Sequence, residues 1–259
     1  MTALSEDLRA ALASLASTDT LLVALDFDGT LAPLVERAED ARPLDGSDSA
    51  VRELAALPRT VTAFVSGRAL DGLRSVAAPD PETLLIGSHG AESWTGPNAQ
   101  PLQLTPEQAS LLATARDAVQ RVVDSHPGCR LEDKPAGVVL HTRSVEDGVA
   151  AVATTHARAA LQELHGVQIT EGKQVLEASV VHTDKGEGIR ALRELTGATA
   201  VLFAGDDVTD EHGFRALTEH DLGVKVGPGD TTAAYRVSTP EEFTEVLAEL
   251  VRLRASAVQ

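Results

Sequence analysis

The chain has 259 residues, 43% of them hydrophobic, which is long enough for one large or two modest domains around a sizeable core. Its formal net charge of −17 argues against nucleic acid and anionic membranes as partners, and no apolar run approaches the roughly 20 residues of a membrane span. The single cysteine, Cys129, excludes an intrachain disulfide and a cysteine metal site. The opening stretch has acidic residues and no basic segment ahead of an apolar core. It reads as a helix rather than a signal peptide, and a cytoplasmic protein is the expectation. Of 22 basic residues only Lys134, Lys173, Lys185 and Lys225 are lysines, which singles them out for roles that need a compact point charge.

Leu4, Leu8, Leu12 and Leu15 recur at helical spacing and predict an opening amphipathic helix. Leu21 to Leu25 is an unbroken apolar run, the pattern of a strand buried on both faces of a parallel sheet. It ends in Asp26-Phe27-Asp28-Gly29-Thr30, at the carboxyl end of the strand, where ligands collect in open α/β sheets. Asp26 and Asp28 project to the same side of an extended backbone, and two carboxylates so close call for a cation between them; hard oxygen ligands favour Mg2+. Glu36 to Gly46 reads as a loop. Ser47 or Asp48 is positioned to cap a helix reaching Leu57, and Pro58 marks its exit. Thr60 to Val65 is β-rich and ends in Ser66-Gly67-Arg68; a short helix follows from Leu70 to Val76. Leu84 to Ile86 is a further buried strand, ending in Gly87-Ser88-His89-Gly90-Ala91-Glu92. Strands alternating with helices predict a doubly wound, Rossmann-like parallel sheet.

Between Gly96 and Gln103 the pattern loosens, and a domain boundary is placed there. Thr105-Pro106-Glu107-Gln108 is a capping box for a helix to about Asp124. Cys129 to Asp133 and Val138 to Thr142 read as a hairpin. Ser144 is expected to cap a second helix through Leu164, and Val167 to Thr170 and Gln174 to Ala178 form another strand pair. This order predicts an inserted α+β unit, a small antiparallel sheet with two helices on one face. The expected division is therefore residues 1–100 and 181–259 as core and 101–180 as cap. After Val181 the first pattern returns: a helix from Lys185 to Leu195, and a buried strand from Thr199 to Ala204 that ends in Gly205-Asp206-Asp207-Val208-Thr209-Asp210-Glu211. A helix around Phe214 to Leu217 and a strand from Leu222 to Val226 follow. Thr239-Pro240-Glu241-Glu242 opens the last helix, whose Arg252 and Arg254 suit its negative end.

Four strand ends thus carry polar groups. Ser66 supplies a hydroxyl where a phosphate sits well. Lys185 starts a helix, the wrong end for a cation unless an anion lies beside it. Asp206, Asp207 and Asp210 crowd three carboxylates together, which favours a cation site. The segments DFDGTL, FVSGR, Lys185 and GDDVTDE resemble the four motifs of the haloacid dehalogenase superfamily. With GSHGAE, EDK, EGKQVLE and DKG, the chain resembles one of its families in particular, the trehalose-6-phosphate phosphatases, from Leu21 to about Val237.

The resemblance implies an enzyme in which Asp26 attacks phosphorus and Asp28 is the acid and base. It implies Mg2+ on Asp26, the Asp28 main-chain carbonyl and Asp206, with Asp207 and Asp210 behind them or as alternative ligands. Ser66 and Lys185 would hold the phosphoryl oxygens, Thr30 would orient the Asp28 loop, and Arg68 would lie near the site. For the sugar it implies Gly87, His89 and Gly90 along the border, and Glu132, Lys134, Lys173 and Glu177 from the cap. The expected substrate is trehalose 6-phosphate, taken by a monomer. The alternatives are another sugar phosphate, a phosphomutase, or a non-catalytic sugar-phosphate sensor.

Overall fold

The computed structural model describes residues 4–172 and 174–258. It divides into two compact units, one built from the chain up to Gln100 together with Thr183 onward, the other from Pro101–His182.

In the first unit, α1 (Glu6–Ala16) precedes β1 (Leu21–Leu25), followed by α2 (Asp45–Ala56), β2 (Thr60–Val65), α3 (Leu70–Ala77), β3 (Leu84–Gly87) and β4 (Glu92–Trp94). The second unit holds α4 (Pro106–Ser125), β5 (Arg130–Lys134), β6 (Gly137–His141), α5 (Asp147–Gln162), β7 (Gln168–Gly172) and β8 (Val175–Ser179). The chain then returns to the first unit with α6 (Lys185–Thr196), β9 (Ala200–Gly205), α7 (Asp210–Arg215), β10 (Leu222–Val226), β11 (Tyr235–Val237) and α8 (Pro240–Ala257). No helix among the described residues is long and apolar enough to cross a membrane.

The seven-stranded sheet runs β11-β10-β9-β1-β2-β3-β4, parallel except for β4 against β3. β1 lies at its centre and every residue in it is buried. Side chains alternate across a strand, so one unbroken apolar run serves two cores. Leu21, Val23 and Leu25 pack with residues of α1, α2, α3 and α8. Leu22 and Ala24 pack with Ile189 and Leu192 of α6 and Phe214 of α7. The second unit has the four-stranded antiparallel order β5-β6-β8-β7. Val138, Leu140, Leu176 and Ala178 on one face join Ala115 and Val119 of α4 and Ala153, Ala157 and Leu161 of α5. Both helices therefore cover the same face.

Several element boundaries differ from expectation. β4 and β11 are short edge strands of three residues each, too brief for an alternating pattern to register. α2 starts at Asp45 because Leu44 is pinned by its amide to the Leu31 carbonyl (2.9 Å). Ser47 and Asp48 thus lie within the helix rather than capping it, and the Ser47 hydroxyl meets Thr244 Oγ1 of α8 at 2.7 Å. Ser144 is not a cap either. The chain first makes a turn closed by the Val145 amide on the Thr142 carbonyl (3.3 Å), and α5 begins after Glu146. At Thr105 both halves of the capping box form. At α8, Thr239 caps Glu242, but the Glu242 carboxylate accepts from the Ser238 amide instead of closing the box. Arg254 does more than suit a helix end. It is fully buried, and its guanidinium donates to the carbonyls of Ala16, Thr18, Asp19 and Arg59 and to Thr60 Oγ1. One fork satisfies the end of α1, the turn after it and the start of β2.

Arg254→Met keeps the length of the side chain and leaves those carbonyls without a donor. We expect it to cost about 3 kcal/mol, a fall in Tm of about 5–10 °C by calorimetry. An unchanged Tm would show that water satisfies the carbonyls equally well.

Candidate active site

The carboxyl ends of the central strands are aligned by the sheet register, and the ladder continues one residue beyond the strands. The Asp26 amide donates to the Ala204 carbonyl and the Ser66 amide to the Ile86 carbonyl, each at 2.9 Å. Asp26 after β1, Ser66 after β2 and Asp206 after β9 therefore leave the sheet at one end. Lys225, near the end of β10, pairs with Gly205 in register, which sets it beside Asp206.

Lys185 is the first residue of α6, which Asp184 caps by accepting from the Glu187 amide at 2.9 Å. Its ammonium lies 2.8 Å from Asp26 Oδ1 and 2.6 Å from Asp210 Oδ1, and all three groups are buried. The anions that offset a cation at a helix start are thus supplied by the protein itself. Burial alone would draw the Lys185 pKa down, but Asp210 and Asp26 outweigh it and raise it. Burial lifts the Asp26 carboxyl well above its ordinary range; Lys185 opposes the rise, and Asp210 and Asp206 add to it. Asp206 is pushed up to about 7, first by burial and then by its carboxylate neighbours Asp210 and Asp207. Lys225 is also buried, and its ammonium donates to the Asp206 main-chain carbonyl.

Carboxylate oxygens of Asp26, Asp206 and Asp210 lie within 4.8 Å of one another. Three hard oxygen donors around one ammonium leave an excess of negative charge, and such a donor set suits a divalent cation. The surrounding loops are shaped to the cluster. A Cβ at Gly29 (φ +75°) would sit 2.1 Å from Asp206 Oδ2, and one at Gly205 would sit 2.2 Å from Asp210 Cγ. Asp207, by contrast, is exposed, and its amide donates to Asp210 Oδ2 at 2.8 Å.

Asp28 points elsewhere. Arg68 grips both of its oxygens, at 2.6 and 2.7 Å, donates to the Ala38 carbonyl at 2.8 Å and lies over the Phe27 ring at 5.7 Å. The Ser66 hydroxyl accepts from the Arg68 amide at 3.2 Å. α3 begins only at Leu70, so Ser66 is not its N-cap. Thr30 is fully buried, and its hydroxyl has no hydrogen-bond partner among the described residues, so no such bond ties it to the Asp28 loop.

The turn after β3 braces the Ser66–Arg68 segment. Ser88 donates to the Arg68 carbonyl at 2.7 Å and His89 to the Ser66 carbonyl at 3.1 Å. Ser88 and His89 both have positive φ, a conformation that costs about 1–3 kcal/mol for each non-glycine residue and persists where the surroundings impose it. The His89 ring lies against Gly67, where a Cβ would fall 2.4 Å from Cε1. Gly87 and Gly90 are similarly close to backbone, at the Arg68 and Asp184 carbonyls. Trp94, on β4, has the Arg74 guanidinium 5.3 Å from its ring centroid, a structural contact.

In the second unit, Glu132 and Lys134 on β5 and Glu177 on β8 share the sheet face that α4 and α5 leave open. Lys134 Nζ is 2.6 Å from Glu177 Oε2, and His141 Nε2 is 2.6 Å from Glu132 Oε2. Lys173 lies outside the described residues. Sequence reasoning singled out Lys225 as one of four lysines without placing it at the strand ends, and it missed His141.

The trehalose-phosphatase family profile matches residues 24–242. The protein named "Probable trehalose-phosphate phosphatase 9" of Oryza sativa subsp. japonica is 31% identical over 278 residues, which cover 95% of this chain and 74% of that protein. A crystal structure of a trehalose-6-phosphate phosphatase related protein superposes with a TM-score of 0.74 at 27% identity, covering 91% of this chain and 99% of the other. The trehalose-6-phosphate phosphatase of Aspergillus fumigatus gives a TM-score of 0.68 at 26% identity, covering 96% and 98%. With that match spanning the aspartates, Ser66 and Lys185 at the strand ends, the chain belongs to the trehalose-phosphatase family, a family of haloacid dehalogenase-type phosphatases.

Proposed function

We propose that the chain hydrolyses trehalose 6-phosphate to trehalose and phosphate through an aspartyl-phosphate on Asp26. The observation that carries this reading is the buried Asp26 carboxylate, 2.8 Å from Lys185, with a second carboxylate two residues on, in a chain of this family. Asp26 attacks phosphorus and forms the acyl-phosphate bond. The bond from phosphorus to the sugar oxygen breaks, and Asp28 gives that oxygen its proton. Asp28, now a base, takes a proton from water, which attacks phosphorus and breaks the bond to Asp26, releasing phosphate. Lys185 and the Ser66 hydroxyl hold the phosphoryl oxygens and spread their charge.

Arg68 donates to both Asp28 oxygens, so Asp28 takes up the role we assign it with that guanidinium as its neighbour. Asp26, Asp206 and the Asp28 main-chain carbonyl are the groups we assign to Mg2+, with Asp210 held against Lys185 at the edge of the cluster. When bound, the cation offsets repulsion between the Asp26 carboxylate and the phosphoryl group. We read the second unit as the cap, whose open sheet face meets sugar hydroxyls with carboxylates and ammonium groups. Gly87, His89 and Gly90 are assigned to the sugar border.

Phosphate release across a panel of sugar phosphates, with Mg2+ and with EDTA, tests this directly. We expect Mg2+-dependent release from trehalose 6-phosphate far above glucose 6-phosphate and sucrose 6-phosphate. Release across the whole panel would keep the phosphatase and reject the cap reading, and no release at all would favour a sensor. Asp26→Asn should reduce turnover by at least about 10³-fold, with no acid-stable phosphoryl adduct trapped on the chain. Near-full activity in that variant would remove the covalent route.

The Asp206 shift gives a pH signature. Its folded-state pKa of about 7 lies above the ordinary 3.8, so between those values the folded chain binds more protons than the unfolded one. That contribution to stability is full below 3.8 and is lost as pH rises through 7. In cation-free protein, Asp206→Asn should flatten the fall in Tm between about pH 5 and 8. Mg2+ added at the upper pH should raise the wild-type Tm more than that of the variant. Parallel profiles would place the titration elsewhere.

A further inference from the structure

The open face of the four-stranded sheet is patterned in a way that its register makes explicit. Glu132 pairs with Val139, and Val139 pairs in turn with Glu177. Directly paired residues share a face, so the two carboxylates flank Val139, about two strand spacings or ~10 Å apart at the backbone. Arg130, Lys134 and His141 belong to the same face by the same alternation. It therefore sets two separated carboxylate acceptors on either side of Val139, with Lys134 and Arg130 on the same face. That arrangement suits a polyhydroxylated ring better than a compact anion.

Each acceptor is held by its own donor. Lys134 takes Glu177 at 2.6 Å. Glu132 is taken by His141, at 2.6 Å, although the register sets Arg130, not Glu132, directly opposite His141. The contact is diagonal across the hairpin, so the imidazole has turned toward the carboxylate rather than meeting it by register alone. A carboxylate only accepts, so Nε2 carries the hydrogen and donates it. The bond leaves Glu132 Oε1 and the remaining lone pairs of Oε2 available to an incoming hydroxyl. The side chains stay partly open, with relative exposures of 28% for His141 and 48% for Glu132, so a ligand can reach them. The hydrogen bond from His141 is the largest cause holding the Glu132 carboxyl below its usual range. Half-burial opposes it, Lys134 and the His141 charge reinforce it, and Glu177 works against it.

We propose that His141 is a positioning residue that sets sugar specificity: it fixes the Glu132 carboxylate so that its free lone pairs face a substrate hydroxyl. This rests on the reading of that face as the sugar-binding surface.

Steady-state kinetics on trehalose 6-phosphate and on p-nitrophenyl phosphate, which has no sugar, separate the possibilities. His141→Leu removes the donor, and His141→Gln restores one. We expect His141→Leu to raise KM for trehalose 6-phosphate about tenfold with little change in kcat. The ratio of kcat/KM between the two substrates should fall by about the same factor. His141→Gln should recover most of the loss. In a Glu132→Gln background, His141→Leu should add little, because the group it positions is already altered. If Glu132→Gln impairs trehalose 6-phosphate and His141→Leu does not, the role of His141 is overturned while the sugar-reading face stands. If Glu132→Gln leaves the ratio unchanged, the face itself has been misread. Equal losses on both substrates, or a lowered Tm unrescued by His141→Gln, would reduce His141 to a structural residue.

Discussion

The first unit depends on one buried ammonium. Lys185 stands between Asp26 and Asp210 at the carboxyl end of the sheet, and the two buried carboxylates would be left uncompensated there without it. Burying a carboxylate is costly, and burying several together is more so. The ion contacts make that cluster tolerable and also fix its geometry. They join a helix start (α6), the end of the central strand (β1) and the start of a short helix (α7) at one point. Residual negative charge at this point, with Asp206 raised to about 7, is what makes the cluster receptive to a divalent cation.

The backbone follows from that cluster. Gly29 and Gly205 are where they are because a side chain at either would occupy the space of an aspartate carboxylate. The same holds one layer out, where Gly67 makes room for the His89 ring and the 88–89 turn is held with positive φ against the carbonyls of Ser66 and Arg68. Strain at the turn and close approach at the glycines serve the same end. Loops from β1, β2, β3 and β9 are held against one another, so their polar groups do not depend on solvent-exposed side chains for position.

How much of this the sequence carried depended on the range of each interaction. The apolar run of β1 and the polar residues at its end were legible because strand periodicity and turn chemistry are local. So was the αββαββ order of the second unit, with the Thr105 box intact. Expectations failed where a distant partner decided the outcome. Ser47 looked like a cap, but its hydroxyl belongs to Thr244, 197 residues away. Arg254 looked like a helix-end charge, yet it serves carbonyls some 195 to 238 positions earlier. At the site, the nearness of Asp28 to Asp26 in sequence suggested a shared cation, whereas the Asp28 side chain turns to Arg68, 40 residues on. Asp210 had been placed at the margin of the site, and the fold brings it into contact with Lys185. Sequence spacing identified the reactive residue types but could not say which charge each would meet.

An acidic protein that takes an anionic substrate faces a particular constraint. With a net charge of −17, long-range attraction works against a phosphate ester, so binding has to come from local cations. Each of the candidates is engaged: Lys185 with two aspartates, Arg68 with Asp28, and Lys225 with the Asp206 carbonyl. A phosphoryl group therefore cannot be held by a waiting free charge of these three; it has to share or exchange partners already present. Lys185 can share, since an ammonium has three donors and two are used by carboxylates. Arg68 can share as well, since Nη1 takes no part in its bonds to Asp28 and the Ala38 carbonyl.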